Sequence, residues 1–573
     1  EAGQSLTVAK GPNAFQFTLS FPAPLTKGTA KTIRLQYDGA LAGQEESPVY
    51  GIRFAAIKPE KTYLMYPARW FPVNDYTADR YTMTLKATVP SDYRVLSNGF
   101  ESRATTGART TFTFDFRSPG FPGNVALVKG TAQTVSANGV TSAFWFDETK
   151  SLAQAYGEEI GKAMTFLGSL YGLPPTANLT YVETERGAPN GYSSPGLVFL
   201  SPAGIGSQPN QRLLVNQLSR QWWGNLTSPT TRNHIWISNG MARYTETLYI
   251  EQNEGAPAAE AEIKDIYIEA LTIDKPPLIQ SSRLEDYSPE FVAATSAKGA
   301  VVLAMLRGIM GDEKFKALLK DIPSKFANRS INTEEFKDAA SRVYGQDLGY
   351  FFIQWIESTG TPEFKLEYTV FRTAKGFRVV GKVVNDLDTF RMPVNLKIET
   401  EGNPEFKQIE VIGTSSEFVV ETFGKPKNVI LDPDSRVLRF SNPIRVSVAI
   451  RKGEQLAEVG EFGEALKEYQ KALDVSRNSS LAHYRVAEVF FLQNNYQSAA
   501  NEFREALNGD LEPKWVEVWS RINLGKIFDV TSQRERAVNE YNLAIRTKDN
   551  TQGAQEEAAK YLKEPYKRPA RVD

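Results

Sequence analysis

The sequence contains no cysteine and only two histidines, His234 and His483. The first absence excludes disulfides and thiolate metal sites but leaves the redox compartment open. The second means that no His-pair zinc site can be assembled within one chain. An excess of charge of either sign is missing too. Against 67 Asp and Glu stand 66 Lys and Arg among 573 residues, so no net field draws nucleic acid or an anionic membrane. Long hydrophobic runs are also absent. The longest, near residues 299–310, is too short for a bilayer and reads as a buried helix, so no transmembrane segment is expected. No signal peptide is visible at Glu1, and a first residue other than Met fits a processed or trimmed chain.

What is present divides by period. At about 150 residues per domain the length suggests roughly four domains. Ile33/Leu35/Tyr37, Tyr81/Met83/Leu85/Ala87/Val89 and Phe112/Phe114/Phe116 alternate with polar neighbours, which predicts half-buried strands across residues 1–145. From 146 to 360 the pattern turns helical, beginning with an amphipathic helix over Lys150–Leu170 that stops near Gly172-Leu173-Pro174-Pro175. Period two returns over 361–443, as in Val394/Leu396/Ile398, and predicts a small β-sandwich. The expected fold class is therefore multidomain α+β.

The stretch from 446 to 573 is helical and repetitive. Ala465-x3-Tyr469 recurs as Ala499-x3-Phe503 and as Ala537-x3-Tyr541, at spacings of 34 and 38 residues. The small residues Gly453, Ala487 and Gly525 sit twelve positions before the leading alanines. A helix-pair repeat of that length, with small residues at the helix crossing, is the tetratricopeptide signature and predicts an α-solenoid. Gln552–Leu562 would cap it. Stacked helix pairs make an extended concave surface, so a protein or peptide partner is expected there.

Two stretches carry the chemistry. One is Val215-Asn216-Gln217-Leu218-Ser219-Arg220-Gln221-Trp222-Trp223-Gly224-Asn225; the other is Trp236-Ile237-Ser238-Asn239-Gly240-Met241-Ala242. Together they resemble the aminopeptidase N and leukotriene hydrolase family of zinc metallopeptidases (gluzincins), in which they read H-E-x-x-H-Q-W-[FW]-G-N and W-L-N-E-G-F-A. The spacing of eighteen residues between Arg220 and Asn239 is also the family's. The resemblance implies a thermolysin-like domain over 146–360 between the β domain and the sandwich. It puts zinc ligands at Asn216, Arg220 and Asn239 and the catalytic base at Gln217. Gly187-Ala188-Pro189-Asn190-Gly191 is similar to the family's G-x-M-E-N loop, with its carboxylate position on Asn190. Ser296-Ala297-Lys298-Gly299 is similar to Tyr-Glu-Lys-Gly, with Ser296 where a Tyr stabilises the oxyanion.

The residue types at those positions do not supply that chemistry. A catalytic zinc takes three lone-pair donors, usually imidazole or carboxylate. Asn216 and Asn239 offer neutral amides, and Arg220 has five donors, no acceptor and a permanent positive charge. Gln217 cannot accept a proton at a useful pH. The expectation is therefore a catalytically inactive homologue, not an enzyme and without zinc or another cofactor. It would bind protein through its helical repeats, and the vacated cleft bordered by Gly187, Ala188, Asn190, Asn216, Gln217, Arg220, Asn239 and Ser296 is a candidate peptide site. The alternatives are a hydrolase with a zinc-free mechanism, and a metallo-aminopeptidase with another ligand set. Ser219 and Ser296 have no His placed in sequence to activate either. For Arg220 an ion pair with Glu246 is the simplest role, and His234 reads as a supporting residue. No nucleic acid is expected, and the resemblance leans the location towards the periplasm or secretion.

Overall fold

The computed structural model describes residues 5–11, 16–41, 52–74, 79–176 and 178–568. They fall into two compact units. The first is 1–230 with 285–287 and 323–330, and the second is 231–284, 288–322 and 331–573.

In the first unit the alternating stretches become strands where they find partners. Tyr81–Pro90 pairs antiparallel with Arg109–Gly120, which also pairs with Phe100–Thr106. Phe112 and Phe114 point into the core at 2% exposure, while their neighbours face outward. The stretch holding Ile33, Leu35 and Tyr37 does otherwise. It forms no strand, and all three side chains are exposed. Alternation names a face but not a neighbour, and a strand without a neighbour leaves its backbone groups unpaired.

A five-stranded mixed sheet follows, taking strands from both sides of residue 146. Gln133–Ala137 pairs antiparallel with Val140–Trp145, which runs parallel to Leu179–Glu183. That strand runs parallel to Leu197–Leu200, and Gly191–Ser194 closes the sheet antiparallel. Helix α1, Ala153–Tyr171, makes the crossover that a parallel pair requires. It lies close on the sheet because Gly157 and Gly161 face Val135 and Ala137; a Cβ at Gly157 would sit 2.3 Å from a Val135 methyl. Gly172, at φ 89°, ends the helix. Helix α2, Gln211–Ser219, starts on an Asn210 side-chain cap and ends with Arg220 as its C-cap.

The second unit opens with α3, Trp236–Glu254, and α4, Ala256–Ala270. A π-helical segment, Ala293–Lys298, leads into α5, Gly299–Met310. The helical stretch Pro289–Met310, 22 residues long, is apolar enough to cross a membrane, which corrects the sequence estimate of a shorter run. Of its most apolar window 67% is buried within the protein, so the apolar surface is spent on the core. Helix α6, Thr333–Tyr344, carries a full capping box between Asn332 and Glu335 and ends at Gly345 in the left-handed region.

Two three-stranded antiparallel sheets follow. One is Lys365–Thr373, Gly376–Val384 and Ser415–Thr422; the other is Glu405–Ile412, Arg391–Thr400 and Pro426–Leu431. Met392, Val394, Leu396 and Ile398 are buried, as their period of two predicts.

The remaining helices are α7 Asn442–Glu458, α8 Phe462–Val475, α9 Ser480–Leu492, α10 Tyr496–Asn508, α11 Trp515–Val530, α12 Arg534–Arg546 and α13 Ala554–Lys563. Consecutive helices pack on one another. The small residues do what their spacing implies. A Cβ at Gly453 would lie 2.3 Å from the Tyr469 ring, and one at Gly525 would lie 2.4 Å from the Tyr541 ring. Ala465, Ala487, Ala499, Phe503 and Ala537 are buried with them.

Candidate functional site

In the first unit the site is built on α2. An α-helix places residues four apart on one face, and Arg220 Nε donates to Asn216 Oδ1 at 3.1 Å. Gln217 Nε2 donates to the same oxygen at 3.2 Å, so one amide oxygen collects both neighbours. Gln217 is 6% exposed, and its own Oε1 is buried without a hydrogen-bond donor. It is covered by Gly191, where a Cβ would stand 2.8 Å from Gln217 Cγ. Near Arg220, burial pushes the phenol of Tyr287 well above its usual range, and the guanidinium charge pulls against that.

The loop before Gly191–Ser194 is pinned rather than open. Ser201 donates through Oγ to Asn190 Oδ1 at 3.0 Å and through its backbone N–H to the Asn190 carbonyl. Gly187 turns at φ 89°, and Ala188 is buried in a cluster with Phe54, Tyr63 and Phe199. Two residues earlier, Glu185 accepts from Lys58 at 2.8 Å, Tyr63 at 2.9 Å and Arg53 at 3.1 Å. Partial burial pushes its carboxyl up, but these three donors hold it below the usual carboxylate range.

Asn239 and Ser296 lie in the second unit. Asn239 Nδ2 donates to Thr295 Oγ1 at 3.0 Å, and that hydroxyl donates to the Phe291 carbonyl. Ser296 is the next residue of the π-helical segment. The two elements meet through glycine. A Cβ at Gly240 would stand 2.6 Å from the Gly299 carbonyl carbon, and one at Gly299 would stand 2.9 Å from Gly240 Cα. Glu246 pairs with Arg243, on its own helix, and Arg243 also reaches Glu262 at 3.4 Å.

Sequence reasoning missed four positioning residues. Arg80 donates to Ser228 Oγ and to the carbonyls of Pro119, Asn225 and Leu226. Gln221, 1% exposed, donates to Ser193 Oγ and the Ser194 carbonyl and accepts from the Gly196 N–H. Ser201 and Thr295 hold the two asparagines. Gln221 had a local signal in its place in the motif and Ser201 one as an N-cap before Pro202; Arg80 and Thr295 act across long sequence separations.

The two histidines titrate in opposite senses. His234 Nδ1 accepts from the Thr333 N–H at 3.2 Å, and Trp236 Nε1 donates to Thr333 Oγ1. Burial lowers the His234 pKa, with Glu335 opposing, so the fold favours neutral imidazole. Its contribution to stability is present above about pH 6.5 and is lost as pH falls. His483 Nδ1 meets Glu502 at 2.7 Å, and that bond raises its pKa against burial, aided by the Arg477 carbonyl and by Glu505. Its contribution is full below about pH 6.5 and is lost as pH rises through the raised value. With two histidines to follow, NMR of ring-labelled protein should give one midpoint on each side of about 6.5. Coincident midpoints would contradict both assignments.

Residues 206–355 match the model described as the peptidase family M1 domain. Aminopeptidase M1-C of Oryza sativa subsp. japonica is 23% identical over 315 residues, 51% of this chain and 36% of that protein. Glutamyl aminopeptidase of Rattus norvegicus is 21% identical over 385 residues, 63% of this chain and 40% of that protein. The chain thus spans well under two thirds of these relatives' own length. Among solved structures, Legionella pneumophila aminopeptidase A superposes with a TM-score of 0.58 at 13% identity, covering 88% of this chain and 73% of that one. A single-residue variant of the M1 zinc metallopeptidase from Deinococcus radiodurans superposes with a TM-score of 0.51 at 20% identity, covering 63% of this chain and 83% of that one.

These matches correct two expectations, that the protein is not an enzyme and that it takes no zinc. The relatives are named as aminopeptidases and a zinc metallopeptidase, and kinship points to an enzyme and to that ion. Donors missing from one motif do not speak for the side chains elsewhere. The residues at the motif positions themselves do not fit zinc, however. Arg220 brings a positive guanidinium hydrogen-bonded to Asn216, whose oxygen is already shared with Gln217. Among the described residues no group of three or more His, Cys, Asp and Glu is gathered for a metal ion.

Proposed function

Because the chain carries a peptidase family M1 domain, we propose that its ligands are polypeptides and that it acts on them as a peptidase-type enzyme. The match over residues 206–355 is the observation that carries this reading. The packing of that domain supports it: Trp222, Trp223 and Trp236 are fully buried, and Gly240 meets Gly299. In this proposal Asn216 and Arg220 bind substrate. An amide and a guanidinium on one helix face are suited to peptide carbonyls and a carboxylate.

The test is incubation with a panel of free and amino-terminally blocked peptides, with added zinc and with chelator, read by mass spectrometry. Release of residues that chelator abolishes supports a metallo-aminopeptidase. Release that survives chelator supports a zinc-free hydrolase. Intact peptides in every condition overturn the enzymatic reading.

For α7 to α13 we propose a tetratricopeptide-type module that binds a protein partner. The close seats of Tyr469 on Gly453 and of Tyr541 on Gly525 support it.

A further inference from the structure

The segment after α13, Glu564–Arg568, has no regular structure of its own, yet each end is held by side chains or carbonyls of other helices. Its backbone enters at Asp529, whose Oδ2 accepts from the Tyr566 N–H at 2.8 Å and the Tyr541 hydroxyl at 2.9 Å. That carboxylate is fully buried and fixed by Arg534 at 2.9 Å. The Tyr566 ring lies 5.2 Å from Tyr561 and 6.4 Å from Phe491, with Lys526 Nζ 5.5 Å above it. Lys526 is itself paired with Glu557 at 3.0 Å.

At the other end, Arg568 reaches the C-terminal end of α9. Its Nη1 donates to the Phe491 carbonyl at 3.0 Å and the Tyr496 hydroxyl at 3.1 Å, and its Nη2 donates to the Leu492 carbonyl at 2.9 Å. Asn494 Oδ1 completes the set. A cation is favoured here twice over, by the carbonyls of the last turn, which have lone pairs to spare, and by the negative end of the helix dipole.

The recognition groups therefore belong to the helices. Asp529, the Phe491–Tyr561–Lys526 seat and the α9 carbonyls form a strip. From its occupant the strip asks for a backbone N–H, an aromatic ring and a guanidinium two residues on. We propose that this strip is a peptide-binding site, filled in cis by Glu564–Arg568. In trans it would take an extended segment of another polypeptide with an aromatic-x-Arg pattern. This deepens the partner-binding reading of α7 to α13. Because the cis segment follows α13 directly, its attachment is intramolecular and an added peptide competes against it.

The probe is a fluorescent, amidated peptide copying Lys563–Arg568, titrated into the full chain by anisotropy. Tyr566→Ala combined with Arg568→Ala vacates the strip, and this variant should bind the probe at least fivefold more tightly than the wild type. Adding Asn494→Ala and Tyr496→Phe should remove that gain. On the wild type, excess unlabelled peptide should speed hydrogen exchange at the Tyr566 amide, a readout that needs no variant. Equal probe binding by wild type and vacated chain, or exchange at Tyr566 that the peptide leaves unchanged, would overturn the proposal. So would concentration-dependent dimers that bind no probe, because the occupant would then be a second copy. Any of these results leaves partner capture at other faces of the helices, and the peptidase assay, to be judged separately.

Discussion

Gly299→Val should lower the melting temperature of the unit that holds α3 and α5 by about 6–12 °C, taking about 3 kcal/mol at 2–4 °C per kcal/mol. The size of the effect follows from what surrounds the missing side chain. A Cβ at Gly299 would stand 2.9 Å from Gly240 Cα and 3.0 Å from the Trp236 carbonyl oxygen. Both are backbone atoms of α3, so no side chain can swing aside, and relief requires α3 and α5 to separate. Trp236, fully buried, would lose packing at the same time. Gly308 on the same helix is the control, because a Cβ there meets nothing within 4 Å. Gly308→Ala should be neutral or stabilising by about 0.5–1 kcal/mol. Similar losses at both positions would mean that helix propensity, not the crossing, governs the site. The functional consequence is positional, since Asn239 and Ser296 sit beside the two glycines in sequence.

Arg80→Ala should cost about 2–3 kcal/mol and loosen the loop that follows Trp222-Trp223-Gly224. Burial lowers the pKa of this guanidinium to about 10. Removing it strands the carbonyls of Asn225 and Leu226, each now accepting from Nη2 at 2.9 Å and 3.0 Å. A buried acceptor without a donor carries its full desolvation penalty. Arg80→Lys keeps the charge but lacks the planar fork, so it should recover only part of the loss. Urea unfolding gives the energy, and hydrogen exchange at residues 225–228 gives the location. Full recovery by lysine would show that charge alone matters here.

The helices around the motifs could be read in advance because their cues are local. Asn332 and Glu335 cap α6 three residues apart, and Gly345 closes it. Gly453 and Gly525 announced close crossings, and they make them. Ile33, Leu35 and Tyr37 show the limit of the same reasoning, since a period of two cannot supply a partner strand. Arg80 shows it more sharply. Nothing near residue 80 indicates a bond to a carbonyl 145 positions away.

The chemical types at the candidate site were determined by the sequence alone: amides at 216, 217 and 239, a guanidinium at 220 and a short hydroxyl at 296. So were the tryptophans and glycines of the same motifs, because covalent identity and helical spacing are local properties. Only the tertiary structure decided whom each side chain bonds. Ser201 takes Asn190, Thr295 takes Asn239, and Arg243 pairs with Glu246 on α3. Hydrogen bonds and ion pairs select partners by distance in space, and residues far apart in the chain become neighbours only once the helices and sheets have packed.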